Sequence, residues 1–134
     1  MKPTLLDSDT VSLLLRFDPR VNRRVLREIA QHGQLTFSEL TYYEITRGLK
    51  AKGAPAQLAR FEQFCLTHNI LPFTHQASII AADLWADLKR RGQPIGDIDV
   101  LIAAIALSEG LAVATHNTIH FNRVPGLTVV DWTV

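Results

Sequence analysis

Sulfur is nearly absent from this chain: of 134 residues one is cysteine and one is methionine. With Cys65 alone no internal disulfide can form, so packing must hold the fold, and a reducing, cytoplasmic setting is the expectation. Cys65 falls at helical spacing from Leu58, Phe61 and Phe64, which is a core position rather than a nucleophile's. Excess charge is missing as well. Fourteen Lys and Arg against 13 Asp and Glu leave a formal charge of +1, which excludes a surface coated with positive charge and confines any nucleic-acid site to local patches. No apolar run reaches membrane-spanning length and the N-terminus shows no signal-peptide pattern, so no membrane association is expected. The five histidines show no paired ligand spacing of the kind zinc helices carry. There is no internal repeat and no low-complexity segment.

What is present alternates. Thr4-Leu5-Leu6, Leu35-Thr36-Phe37, Ile70 to Phe73, Leu111 to Ala114 and Leu127 to Val130 read as short strands, the first four separated by helical spacing and the last two by a short turn through His120-Phe121. Val11 to Leu15 resumes at helical period after the first strand. Asp18-Pro19 opens a helix that Gly33 stops, and Ser38 caps one running to about Leu49. Lys50 to Pro55 reads as a linker, Asn69 as the end of the helix that Pro55 opens, and His75 to Arg91 as a long helix. Strands alternating with helices predict a single α/β domain over residues 1–134, with a central parallel sheet of about five strands between helical layers. Basic residues gather at Arg16, Arg20, Arg23, Arg24 and Arg27 and again at Lys89, Arg90 and Arg91; solvated helix faces explain them as readily as a binding patch.

Acids stand where such a sheet collects ligands. Asp7 and Asp9 flank Ser8 at the strand-to-helix turn after the first strand, and ligands gather outside the carboxyl ends of parallel strands. One N-cap explains one acid, not two. Glu44 shares a helix face with Leu40, Thr41 and Gly48; the plain alternative is an ion pair with Arg47 at helical spacing. Asp97 and Asp99 open the segment Val100 to Leu107, apolar on every side as in a helix buried all round. In regular helix the two would point about 200° apart, so Asp97 is expected before the helix or at its cap and Asp99 in its first turn. Thr115 and Asn117, after the fourth strand, bring a hydroxyl and an amide to the same sheet edge. Carboxylates gathered in one cleft raise one another's pKa unless a cation joins them, and oxygen-only donors favour Mg²⁺ or Mn²⁺. Such an ion, keeping several waters, suits phosphodiester hydrolysis without a covalent nucleophile.

Leu5-Leu6-Asp7-Ser8-Asp9, Glu44-Ile45-Thr46-Arg47-Gly48, Gly92 to Leu107 with Ile102-Ala103-Ala104 after Asp99, Thr115-His116-Asn117, His120-Phe121 and Val124-Pro125-Gly126-Leu127 occur in this order. In that order they resemble a PIN-domain ribonuclease, more narrowly the toxin of a VapBC-type toxin–antitoxin pair, over nearly the whole chain. The resemblance implies Mg²⁺-dependent (or Mn²⁺-dependent) cleavage of single-stranded or loop RNA leaving a 5′-phosphate. It also implies a homodimer and a small VapB-like antitoxin that covers the cleft. Residue by residue, Asp7 and Asp99 match metal-binding positions and Glu44 the second acid. The chain departs at His120, where the pattern has Asp or Glu. Neutral imidazole there can orient a water or shuttle a proton, Asp97 is a candidate for the missing charge, and the plain reading makes His120 a surface or hinge residue beside Phe121.

Two other classes compete. A phosphoacceptor signalling domain needs an acid after the third strand and a lysine after the fifth; this chain has Phe73-Thr74-His75 at the first and no lysine beyond Lys89. A catalytically dead scaffold that binds RNA or a protein would fit His120, but not the presence of Asp7, Glu44 and Asp99 together.

Overall fold

In the computed structural model, which describes all 134 residues, β1 (Leu5–Leu6) is the middle strand of a sheet parallel throughout. On one side of it lie β2 (Thr36–Ser38) and the edge strand β3 (Asn69–Leu71), on the other β4 (Val113–Ala114) and the edge strand β5 (Val129–Val130). Leu5 pairs with Thr36 and Val113, and Leu6 with Phe37 and Ala114. Successive side chains on a strand point to opposite faces, and the two cores follow that rule. Leu5 and Val113 join one cluster, Leu6 and Ala114 the other.

The Leu5 face is covered by α5 (His75–Arg90) and α6 (Asp97–Glu109), with Phe121 of the short α7 (Thr118–Phe121) closing its end. Four small or slim residues, Ala103, Ala104, Ala106 and Val100, let α6 sit deep in the molecule, where Ile102 and Ile105 are buried as well. Burying each such isoleucine stabilises the fold by about 1.5–3 kcal/mol. The Leu6 face is covered by α1 (Ser8–Leu15), α2 (Pro19–His32), α3 (Glu39–Lys52) and α4 (Pro55–Leu66). Phe37 lies there against Phe61 and Phe64, with ring centroids 6.4 and 5.8 Å away. The sheet has helices on both faces, as the alternation predicts.

Boundaries differ from the sequence reading where hydrogen bonding decides them. Helix α3 continues through Lys50 to Lys52 and is ended by Gly53 in the left-handed region (φ 68°), so the expected linker shrinks to Gly53 and Ala54. Asn69 does not end α4, which stops at Leu66; its N–H bonds Leu35 O at 2.9 Å, and it opens β3. Pro72 lies just past that edge strand, where a missing donor costs no ladder bond. The last turn of α1 closes with Phe17 N–H on Leu14 O and Asp18 N–H on Leu13 O, both at 3.0 Å. This bond pair places Phe17 where glycine usually sits. It is the one non-glycine residue with positive φ (61°), which costs a side-chain-bearing residue about 1–2 kcal/mol.

Candidate active site at the carboxyl edge

Asp7 follows β1 directly and caps α1, accepting from Thr10 N at 2.9 Å. The cap is real, yet it occupies only Oδ1. Thr10 Oγ1 donates to Ala114 O at 2.9 Å, tying the turn to the neighbouring strand. Thr115, fully buried at the end of β4, accepts from Asn117 N at 2.9 Å through Oγ1, which leaves its hydroxyl proton for Asp7. Those donors do not offset burial. Desolvation pushes the Asp7 carboxyl up to about 7, with Asp9 adding to it and Thr115 and Thr10 opposing it.

Asp99 lies in the first turn of α6, half-buried. Its pKa is also raised, by burial first and then by Glu44 and Asp9, while His120 pulls it back. Asp9 therefore acts on both Asp7 and Asp99, although its own side chain is exposed. His120 Nδ1 lies 3.7 Å from Asp99 Oδ2 and 2.8 Å from Asn117 Nδ2. Its side chain is part-exposed beside the buried Phe121, as a surface residue's would be, and it faces Asp99 and Asn117.

Glu44 points from α3 toward the same edge. Ser8 Oγ donates to its Oε1, with Thr41 Oγ1 3.2 Å from the same hydroxyl. Arg47 Nη2 lies 3.6 Å from Oε2, so the ion pair weighed as the plain alternative exists alongside the convergence with Asp99. Ser8 was read from the sequence only as part of a turn, and its role in holding Glu44 was missed. Its signal was its place, one residue past the cap on a helix that packs beside α3.

Asp97 does not join the cluster. Gly96 is the N-cap of α6, and Asp97 is already helical, exposed and without a hydrogen bond. Two helical residues from Asp99, it points about 200° away from it, so the expectation that it precedes the helix is corrected. His116 also turns away, to Asp131 Oδ2 at 3.2 Å and Thr133 Oγ1 at 3.1 Å.

Asp7, Asp9, Glu44 and Asp99 thus share one edge, with the Arg47 guanidinium and the His120 ring as the basic groups beside them. No three side chains stand close enough to enclose an ion by themselves. That set fits an ion held by one or two carboxylates that keeps most of its waters, which is how Mg²⁺ binds. It does not fit zinc, whose nitrogen or sulfur donors are lacking. A parallel α/β sheet with under-compensated carboxylates at its carboxyl edge is an arrangement that a hydrated divalent ion would complete, and hydrolases acting on phosphodiesters are one class built this way.

Comparison narrows the class. The PIN domain model matches residues 4–127. The chain is 33% identical over 129 residues to the tRNA(fMet)-specific endonuclease VapC of Salmonella typhimurium, covering 96% of each chain. It is 27% identical over 130 residues to ribonuclease VapC1 of Haemophilus influenzae strain R2866, covering 96% of this chain and 97% of that one. Among solved structures, DNA-bound VapBC from Salmonella typhimurium superposes with a TM-score of 0.88 at 30% identity, covering 98% of this chain and 99% of the other. VapBC-1 from nontypeable Haemophilus influenzae gives 0.83 at 27% identity, over 99% and 100%. The chain belongs to the PIN-domain family, and within it to the VapC-type endoribonucleases.

Proposed function

We propose that Asp7 and Asp99 hold Mg²⁺, with Mn²⁺ as its substitute, and that this site cuts RNA as the toxic half of a toxin–antitoxin pair. The observation that supports this most is electrostatic. Burial first, and then the neighbouring acids Asp9 for Asp7 and Glu44 and Asp9 for Asp99, raise both carboxyls, and a divalent cation would relieve them. The chemistry such an ion supplies is activation of a water and compensation of charge developing on the phosphate oxygens.

The chain's own residues do the rest. Thr115 holds Asp7 through its hydroxyl, and Asn117 in turn holds Thr115 and the ring of His120. Ser8 occupies Glu44 Oε1, so the oxygen that orients the attacking water and takes its proton is Oε2, which Arg47 Nη2 approaches only to 3.6 Å. His120, with Nδ1 3.7 Å from Asp99 Oδ2, orients a water or a phosphate oxygen where the family's pattern has an acid. Asp9 adds to the field that draws in a cation. Asp97 has no part in this scheme. A tRNA is the first substrate to try, because the Salmonella relative is specific for tRNA(fMet). A VapB-like antitoxin follows from the VapBC complexes among the structural neighbours, and a homodimer from the family resemblance. The setting is cytoplasmic, where such RNA lies; no helix is long and apolar enough to cross a membrane.

The test is cleavage by purified protein stripped with EDTA and then titrated with Mg²⁺ or Mn²⁺, with RNA ends mapped. Restored cutting that leaves 5′-phosphates is expected. RNA binding with no metal-dependent cutting would instead support the dead-scaffold alternative.

A further inference from the structure

A groove of about 490 Å³ runs between α1, α3 and α4 and opens onto the acid cluster. Ser8, Asp9 and Glu44 line one end of it. Arg16 lies eight residues beyond Ser8, and Lys52 eight beyond Glu44. At 1.5 Å of rise per residue both stand about 12 Å from the acids, where Arg60 of α4 joins them. None of these three cations takes part in an ion pair. Between the two ends the wall is Gly48, where an added Cβ would meet nothing within 4 Å. Gly48 lies one turn before the end of α3, and its missing side chain leaves this stretch of the groove open. Phe17 follows Arg16 and stands 79% exposed, in a backbone conformation that glycine would adopt more easily.

We propose that this groove is the track for a single-stranded stretch of RNA beside the scissile phosphate, with Arg16, Lys52 and Arg60 on its phosphates and Phe17 stacking on one of its bases. The inference rests on the nuclease reading above and extends it to how the substrate is held. Unpaired cations in a row suit a polyanion, and exposed aromatic rings suit unstacked bases. Of the groove's lining only Leu15, Ile45 and Leu49 are apolar, too few to seat the apolar face of a partner helix. Continuity with the acids favours the molecule that must reach them.

The experiment compares wild type with Arg16→Gln/Lys52→Gln/Arg60→Gln, with Gly48→Gln and with Phe17→Gly. Each is measured for binding of a fluorescein-labelled single-stranded oligoribonucleotide in EDTA at several salt concentrations, then for cleavage with Mg²⁺. The triple variant should lower the salt slope of log affinity by about 2, near 0.7 per lost phosphate contact on a single strand. Phe17→Gly should bind about tenfold more weakly, the scale of one lost base stack, while melting no lower than wild type. Gly48→Gln, a better helix former, should stay folded and cut at under about a tenth of the wild-type rate. If the triple variant and Gly48→Gln both bind and cut as wild type does, the groove is not the RNA track. The same holds if they lose only their response to the antitoxin, which would make the groove a protein's seat. Absence of metal-dependent cutting by wild type would sink the nuclease reading instead, and binding in EDTA would then judge the groove alone.

Discussion

Asp7 and Asp131 each stand directly after a two-residue apolar strand of one parallel sheet, yet their carboxyls are driven in opposite directions. Asp7 follows the middle strand. It is buried, its donors are a backbone amide and a hydroxyl, and its charged neighbour is Asp9, so desolvation wins and the acid holds its proton up to about 7. Asp131 follows an edge strand. Burial raises it too, but it accepts from Thr133 N at 2.8 Å and Thr133 Oγ1 at 2.7 Å and faces His116, which together bring it below the ordinary value. An acid short of partners awaits one from outside, whereas a satisfied acid is structural.

The largest effect that would sharpen this contrast is on catalysis. Asp99→Asn should reduce the cleavage rate by about three orders of magnitude, the several kcal/mol a lost metal ligand takes from the barrier. Its melting temperature should not fall, because Asn removes repulsion with Glu44 and Asp9. Full activity in this variant would contradict the proposed metal role.

Next in size is the pH dependence of stability in EDTA. The folded carboxyl of Asp7 titrates near 7 against an ordinary 3.8, so the folded state holds the extra proton between those values. Stability should therefore fall as pH rises from about 4 to 7 and level off above, by up to roughly 4 kcal/mol. Asp7→Asn keeps a good N-cap and should flatten that slope. Denaturant melts from pH 4 to 8 check it, and an unchanged slope would break the comparison on its central-strand side.

Asp131 should behave in the opposite sense. With its folded pKa lowered, its contribution is present above the ordinary carboxylate range and is lost as pH falls through it. Asp131→Asn should cost about 1.5–3 kcal/mol, the usual loss for hydrogen bonds to a charged group, and leave RNA cutting at the wild-type rate. Loss of cutting without loss of stability would put this acid in the site after all. The smallest effect belongs to Asp97→Asn, for which melting within about 0.5 kcal/mol of wild type is expected at an exposed position. Cleavage and metal affinity should also be unchanged, and a drop in metal affinity would restore Asp97 as the stand-in for the acid missing at His120.

Much of this was legible from residue order. The alternation of short apolar runs with helical spacing gave the layered sheet, and acids at strand ends gave the site's location, because strand ends are where parallel sheets leave backbone and side chains free. The placement of Asp97 failed because Asp and Gly both cap helices, and Gly96 took that position one residue earlier. Ser8 was missed because its contact with Glu44 spans 36 residues, and no local pattern records which helix packs beside which. His120 was legible as a departure from a pattern, but its bond to Asn117 and its approach to Asp99 depend on how α7 meets α6.

By itself, the order of amino acids determined the α/β architecture, the burial of α6 and the set of acids available, because periodicity and side-chain chemistry are local properties. Tertiary structure alone decided which acids lack partners. Solvation and charge depend on what lies within a few ångströms, and that is fixed only when the end of β1 buries Asp7 among too few donors while the edge strand brings Asp131 to Thr133 and His116.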